Sequence, residues 1–268
     1  MEITARTVRR VRQKTAQPKY AFDHKLAEMA ARADQKTAQG IYASIQNPAT
    51  QHVYRYLTEF TAALLRCKWD KPLPQIRVLD WGGGKGYVAY FLQQLGVCAE
   101  LYETDAYPHR QLWKHCRLAV KTSDGARLPY DSKTFDAVIG FGVLEHVPYE
   151  HEALKELNRV LKDDGLLFCF NLPNRLGYIH RLSWWSGVRY HDRLYGRKET
   201  QMLLKRAGFT TIGKPWYRQL LPKTHYHYPY PAAIERLDLA LTNHTPLKYL
   251  ATSIEFVARK HYAYTAVH

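Results

Sequence analysis

Val78-Leu79-Asp80-Trp81-Gly82-Gly83-Gly84-Lys85-Gly86 is the stretch on which the reading of this chain turns. An apolar run (Ile76, Val78, Leu79) leads into it. A helical pattern (Tyr87, Val88, Tyr90, Phe91, Leu95) leads out of it to Gly96. That order reads as strand, tight glycine turn, helix. Glycines let a ligand lie against bare backbone, and the first N–H groups of the next helix suit an anionic group such as a carboxylate or phosphate. Gly84-Lys85-Gly86-Tyr87-Val88-Ala89 satisfies the loose dinucleotide pattern, with Ala in the third small position. Asp80-x-Gly82-x-Gly84-x-Gly86, with an acid closing the strand, is the tighter description.

Working outward, Val97 to Glu103 reads as a second strand ending in acid. Glu103 lies about twenty residues past the first glycine, where a carboxylate can accept both ribose hydroxyls of an adenosine cofactor. Asp105 competes for that role, but it falls in the turn before Pro108. Apolar segments follow at 118–120, 135–141 and 166–170. A helix over 150–162 has Glu150 and Glu152 at its start and Arg159 and Lys162 near its end, matching the helix dipole. Beyond come a helix from Arg197 to Ala207, a strand from Phe209 to Gly213 and a last strand from Ser253 to Arg259. Strands alternating with helices predict a doubly wound, mainly parallel sheet. Right-handed crossovers place Asp80, Glu103, Asp124, Phe141 and Asn171, each after a strand, at one edge. One adenosine-like ligand site is the consequence.

The 268 residues suffice for one large α/β domain with additions or for two small domains, and 46% hydrophobic content supports a substantial core. The net charge of +15, from 39 basic and 24 acidic residues, favours anionic partners or a solvated basic surface. Four cysteines lack metal-ligand spacing; Cys98 and Cys169 lie in apolar runs and are expected in the core, reduced, in a cytoplasmic setting. Thirteen histidines form no ligand constellation along the sequence, so no metal is expected. No apolar run approaches the roughly 18 residues of a spanning helix.

Residues 1–19 read as a mobile basic tail in preference to an organelle transit segment. Helices follow over 23–38 and 49–66, the second with Val53, Leu57, Phe60 and Leu64 on one stripe and Arg55 and Glu59 facing away. Residues 174–196 form an aromatic and basic insert after a strand, suited to a substrate wall or to a small apolar cap. A second insert spans 218–248 and holds the Tyr/His/Pro run 225–231.

Four segments, VLDWGGGKG (78–86), DGARLPYDSKTFDAV (124–138), GVLEHV (142–147) and NRVLKDDGLLFCFNLPN (158–174), resemble in order and spacing the class I S-adenosylmethionine-dependent methyltransferases of the group related to ubiquinone and menaquinone biosynthesis. The resemblance implies a Rossmann-like seven-stranded sheet whose last strand is antiparallel. It would have a helical extension over 1–72, a core over 73–262 carrying the two inserts, and a tail over 263–268. It implies S-adenosyl-L-methionine as cofactor. Asp80, Gly82 and Gly84 would hold the methionine end, with Trp81 beside them. Glu103, with the adjacent Thr104, would hold the ribose. Asp124 would take the adenine amino group, Gly125 would meet the ring, and Phe141 would line the methionine side. Trp81 departs from the small residue usual there, and Asp163-Asp164-Gly165 stands where Pro-Gly-Gly is common.

Methyl transfer from an activated donor asks the protein mainly to align and desolvate the acceptor. An oxygen or carbon acceptor can also need a general base, and His146, after the fourth strand, is the candidate; a structural role in its loop is the alternative. His180, His191 and Tyr190 in the insert are secondary candidates. The expected acceptor is a small or lipid-linked molecule, anionic or aromatic, with peripheral membrane contact open to the basic N-terminus and the aromatic inserts. An RNA or protein methyltransferase is the second reading, favoured by charge. Gly142-Val143-Leu144-Glu145 lacks the Asn/Asp-Pro-Pro-aromatic clamp of amino-group chemistry on bases, so nucleic acid is not favoured. A non-catalytic protein of this fold and a nicotinamide-dependent oxidoreductase complete the alternatives.

Overall fold

A computed structural model describes residues 2–15, 22–37, 40–125, 127–187, 191–221 and 232–261, apart from the side chains of Trp184 and residues 232–236. In chain order the elements are α1 (Ala5–Thr15), α2 (His24–Thr37), α3 (Pro48–Lys68), β1 (Arg77–Trp81), α4 (Tyr87–Gln94), β2 (Cys98–Thr104), α5 (Gln111–His115), β3 (Ala119–Ser123) and β4 (Phe135–Phe141). They continue with α6 (Glu150–Val160), β5 (Leu161–Pro173), α7 (Tyr178–Trp185), α8 (Arg197–Arg206), β6 (Phe209–Thr211), β7 (Trp216–Arg218), α9 (Ala232–His244) and β8 (Ser253–Lys260). The Tyr/His/Pro run 225–231 and Tyr190 lie outside the described residues.

The sheet runs β3-β2-β1-β4-β5-β8-β6. β1 pairs in parallel with β2 and β4, so Val78 faces Ala99 on one side and Ala137 on the other. β8 lies antiparallel to β5, as expected of the last strand. β6 and β7 both pair with β8, through Thr211–Ala258 and Trp216–Glu255. They divide one strand position, so the seven-position plan carries eight strands. The strand order reverses between β1 and β4, and that switch point opens the crevice in which such sheets bind ligands.

Both faces of the sheet are covered, which is why its strands read as apolar runs. Val78, Ile139, Phe168 and Phe170 pack under α3 and α4, where Phe60 meets Phe168 and Phe170 edge-on at 6.3 and 6.2 Å. Leu79, Val138, Leu167 and Cys169 pack against Leu154 and Leu157 of α6 and Leu204 of α8. A third cluster joins Leu26 and Ala30 of α2 to Tyr90 and Phe91 of α4.

Four expectations need correction. Residues 2–15 are not a loose tail: Ile3, Val8 and Val11 are buried in the cluster that holds Leu57 and Phe60, and Arg12 lies over the Trp216 ring at 5.6 Å. One apolar stripe on an Arg-rich helix is enough to dock it. Arg55 and Glu59 do not face solvent, because α3 has α1 on one side and α4 on another; Arg55 sits 4.6 Å over the Phe91 ring and 3.6 Å from Asp23. Cys98 is exposed at the rim where β2 begins, whereas Cys169 is buried as expected. β5 also starts earlier than its apolar run suggests. Leu161 pairs with Phe135, the ladder slips through Asp163-Asp164-Gly165 with Asp164 at φ +61°, and pairing resumes at Leu166.

Candidate active site

The ends of β1, β2, β4 and β5 and the start of α3 enclose a cavity of about 840 Å³. Asp80, the glycine turn, Glu103, Phe141, His146 and Asn171 all reach its lining. A smaller recess of about 510 Å³, lined by Arg77, Lys121 and Tyr130 among others, touches none of these groups.

The glycine turn is shaped by what surrounds it. Gly82 sits at φ +64°, and a Cβ there would stand 2.5 Å from Val143 Cγ1. Gly84, at φ +53°, donates its N–H to Glu103 Oε2 at 2.9 Å, and its carbonyl accepts the Trp113 indole N–H at 2.8 Å. Thr104 N–H donates to the other Glu103 oxygen at 2.8 Å. The carboxylate is thus held from two sides and aimed by the backbone. Thr104 acts by that contact and does not itself line the cavity.

Asp80 is 1% exposed. Its Oδ2 accepts Ala89 N–H at 3.0 Å, so one early N–H of α4 goes to the protein's own acid. Its Oδ1 is buried and has no hydrogen-bond partner among the described residues. Burial pushes the Asp80 carboxyl up to about 7, against the Ala89 bond, with nearby Glu103 adding to the rise. An unsatisfied carboxylate oxygen at a cavity wall is a place for a cationic or hydrogen-bond-donating group.

Trp81 alternates to the opposite face of β1 and packs in the other core cluster. Its register partner on β4 is Gly140, where a Cβ would stand 3.0 Å from the indole. The bulky residue is accommodated by the missing side chain across the ladder. Asp124 and Gly125 stand exposed just past β3, one strand over from Glu103, and do not line the cavity; a Cβ on Gly125 would lie 3.5 Å from Thr104 Cγ2.

Several lining residues escape sequence reading. Asn47 caps α3, its Oδ1 accepting Ala49 N–H at 2.8 Å, and with Thr50 and Tyr54 it brings the helix start over the cavity. The Tyr54 ring lies 5.0 Å from Phe141 and 5.2 Å from Tyr87, and with Tyr107 these rings form an aromatic collar. Gln219 Nε2 donates to Asn171 Oδ1 at 3.4 Å, and both residues hold positive φ, +62° and +57°. Non-glycine residues in that region commonly mark functional sites. The Asn47-Pro48 pair was a readable capping signal; Gln219 arrives only through the pairing of β7 with β8.

His146 is exposed over about half of its side chain (55%) and borders the cavity beside buried Glu145. Burial pushes the Glu145 carboxyl up to about 7. From the aromatic insert, His191 comes within 6.1 Å of His146, ring to ring, and His180 lies edge-on to His191 at 5.2 Å. Burial lowers the pKa of both His180 and His191, favouring neutral rings. The insert therefore approaches the cavity through the His191 ring beside His146, which lines it.

Residues 20–214 match the family model described as a methyltransferase domain. The chain is 28% identical over 156 residues to 2-methyl-6-phytyl-1,4-hydroquinone methyltransferase 2 of Oryza sativa, covering 54% of this chain and 43% of that protein. It is 30% identical over 138 residues to a probable S-adenosylmethionine-dependent methyltransferase of Mycobacterium tuberculosis, covering 50% and 49%. The aligned part spans less than half the length of each of these relatives. Among solved structures, an S-adenosylmethionine-dependent methyltransferase of Thermotoga maritima superposes with a TM-score of 0.53 at 16% identity, covering 87% of this chain and 99% of that one. A chain from the complex of the Haloferax volcanii Trm112 methyltransferase activator with a methyltransferase gives 0.54 at 17%, covering 90% and 98%. These two likenesses bear on the fold.

Proposed function

Because the chain belongs to the methyltransferase-domain family, we propose that it moves a methyl group from S-adenosyl-L-methionine to a hydroxylated aromatic acceptor of small or lipid-linked type. The cofactor supplies a methyl group on a sulfonium, already activated for displacement. The single observation that carries the reading is the pair of strand-end acids on one cavity. Asp80 offers a buried, unpartnered oxygen, and Glu103 is held by two backbone N–H groups.

In this reading Asp80 receives the ammonium of the methionine end, and Glu103 accepts the ribose hydroxyls. Phe141, Tyr54 and Tyr87 exclude water from the reacting centre, where alignment and desolvation supply most of the rate. Asp124 and Gly125 stand one strand beyond Glu103, where an adenine held by Glu103's ribose would extend. His146 is the group placed to activate an acceptor hydroxyl. The acceptor class is supported by the aromatic collar and by the relatives, which act by name on a phytyl hydroquinone and, in Lactobacillus johnsonii, on demethylmenaquinone.

Incubation with methyl-tritiated S-adenosyl-L-methionine tests it, using hydroquinones, catechols, a prenylated quinol, RNA and a protein mixture as acceptors. Label on the phenolic acceptors is expected. Label on RNA or protein alone would move the assignment to the macromolecular reading that the net charge of +15 favours.

A further inference from the structure

Glu145, His146 and His191 meet beside the cavity, whose wall His146 lines, from two segments 45 residues apart in sequence. Glu145 is 2% exposed, and its Oε2 has no hydrogen-bond partner among the described residues. Its Oε1 stands 3.9 Å from His146 Nε2 and 3.8 Å from His191 Nδ1, and that ring nitrogen is also buried without a partner. All three donor groups lie within 4.8 Å of one another. These separations exceed hydrogen-bond distance. The cluster is therefore not a hydrogen-bonded His–carboxylate pair, and it leaves a buried oxygen and a buried nitrogen unsatisfied. A cation among them would answer all three. Ligands on a zinc-like ion with bonds of about 2.1 Å stand roughly 3.0–3.4 Å apart, so the two carboxylate–imidazole separations need to close by about half an ångström and the widest donor separation, within 4.8 Å, by up to about 1.5 Å. Half-exposed His146 is free to do so.

We propose that Glu145, His146 and His191 bind a divalent transition-metal ion of the zinc class, with its open positions turned to the cavity. Two imidazoles and one carboxylate form a borderline donor set. It suits Zn²⁺, Co²⁺, Fe²⁺ or Ni²⁺ better than Ca²⁺ or Mg²⁺, which prefer all-oxygen shells. His180 is a positioning residue: it abuts His191 and hydrogen-bonds the Thr252 carbonyl at 3.0 Å, fixing the ring next to it. The ion's role rests on the methyl-transfer reading above. An acceptor hydroxyl bound to it loses its proton to solvent, and the oxygen lone pair forms the new O–C bond with the methyl carbon. The C–S bond breaks, and its electron pair stays on the sulfur. His146 then activates the acceptor as a ligand to the ion, not as a free base.

The test uses the full chain, tag-free and stripped with a chelator. It is titrated with Zn²⁺ by calorimetry and with Co²⁺ by visible absorption. One equivalent of Zn²⁺ per chain and a ligand-field band for Co²⁺ are expected. Glu145→Gln and His191→Ala should each weaken uptake at least tenfold, while His115→Ala, on an exposed histidine, should not. Circular dichroism confirms the fold of each variant. No saturable uptake by the folded chain, or uptake unchanged in both variants, overturns the proposal. Glu103-dependent binding of S-adenosyl-L-methionine, measured on the same samples, separates the two claims. Donor binding without metal uptake removes the ion alone, and metal uptake without donor binding removes the methyl-transfer reading.

Discussion

Asp136 and Asp80 are buried acids on neighbouring strands, and they are treated in opposite ways. Asp136 lies where β4 begins. Its Oδ1 accepts the Lys71 and Lys162 ammonium groups at 2.8 and 3.1 Å, and its Oδ2 accepts Arg77 N–H at 2.9 Å. Burial alone would raise its pKa, but these three donors outweigh it and hold the carboxyl below its usual value. Asp80 lies where β1 ends. It has one donor, one empty oxygen and a pKa near 7. Glu145, just past the end of β4, also keeps an empty oxygen. The edge where strands start is closed for stability, whereas the edge where they end leaves polar groups unsatisfied for a ligand. That matches the general placement of sites in open α/β sheets.

The contrast can be broken from either edge. Glu103→Ala should have the largest effect at the binding edge. It removes the charged acceptor of the ribose hydroxyls, a class of hydrogen bond worth about 1.5–3 kcal/mol. Affinity for S-adenosyl-L-methionine should fall on the order of 100-fold by calorimetry, and unfolding should shift by less than in Asp136→Ala, because the Gly84 and Thr104 N–H groups that lose their acceptor stand beside the cavity. Asp136→Ala should do the reverse. It strands two partly exposed lysines and one N–H, for a loss of about 2–3 kcal/mol in urea unfolding after discounting for solvent screening. Donor affinity of the folded protein should stay within about twofold.

The two acids also differ in the direction of their titration: Asp80 is raised and Asp136 lowered. In the folded chain Asp80 keeps its proton to about pH 7, whereas an unfolded Asp loses it near pH 4. Between those values the folded state binds the extra proton. Asp80 therefore makes stability fall as pH rises from about 4 to 7, by at most about 4 kcal/mol, and adds no slope above 7. Urea unfolding across that range should show this component, and Asp80→Asn should remove it. A cationic ligand at Asp80 should bind more tightly as pH rises through 7. The smallest expected effect is that of Gly140→Ala. It presses on the Trp81 ring from 3.0 Å and should cost roughly 1–2 kcal/mol of thermal stability, while leaving the cavity intact.

The parts of this picture that were legible are those fixed by local chemistry. The glycine turn, Asp80 and Glu103 follow from a strand, a turn and a strand that succeed one another along the chain. The antiparallel last strand came with the resemblance. What was not legible depends on distant packing. Val8 and Val11 look like two apolar residues in a basic tail until α3 is there to receive them. Arg55 and Glu59 look solvated until α1 and α4 close round α3. Trp81 looks out of place until Gly140 is seen across the ladder. Tyr107 and Gln219 carry no motif, because each reaches the cavity from a segment whose path is set by tertiary contacts. The histidines formed no constellation along the sequence because His191 meets Glu145 and His146 only in space.

The central claim is that the strand-end carboxylates form one cofactor site. Calorimetric titration of the purified chain with S-adenosyl-L-methionine, beside Glu103→Ala, tests it most directly. Saturable binding of one donor per chain, weakened on the order of 100-fold by the substitution, is expected. A folded chain that binds no donor, or binds it equally well without the Glu103 carboxylate, would contradict it.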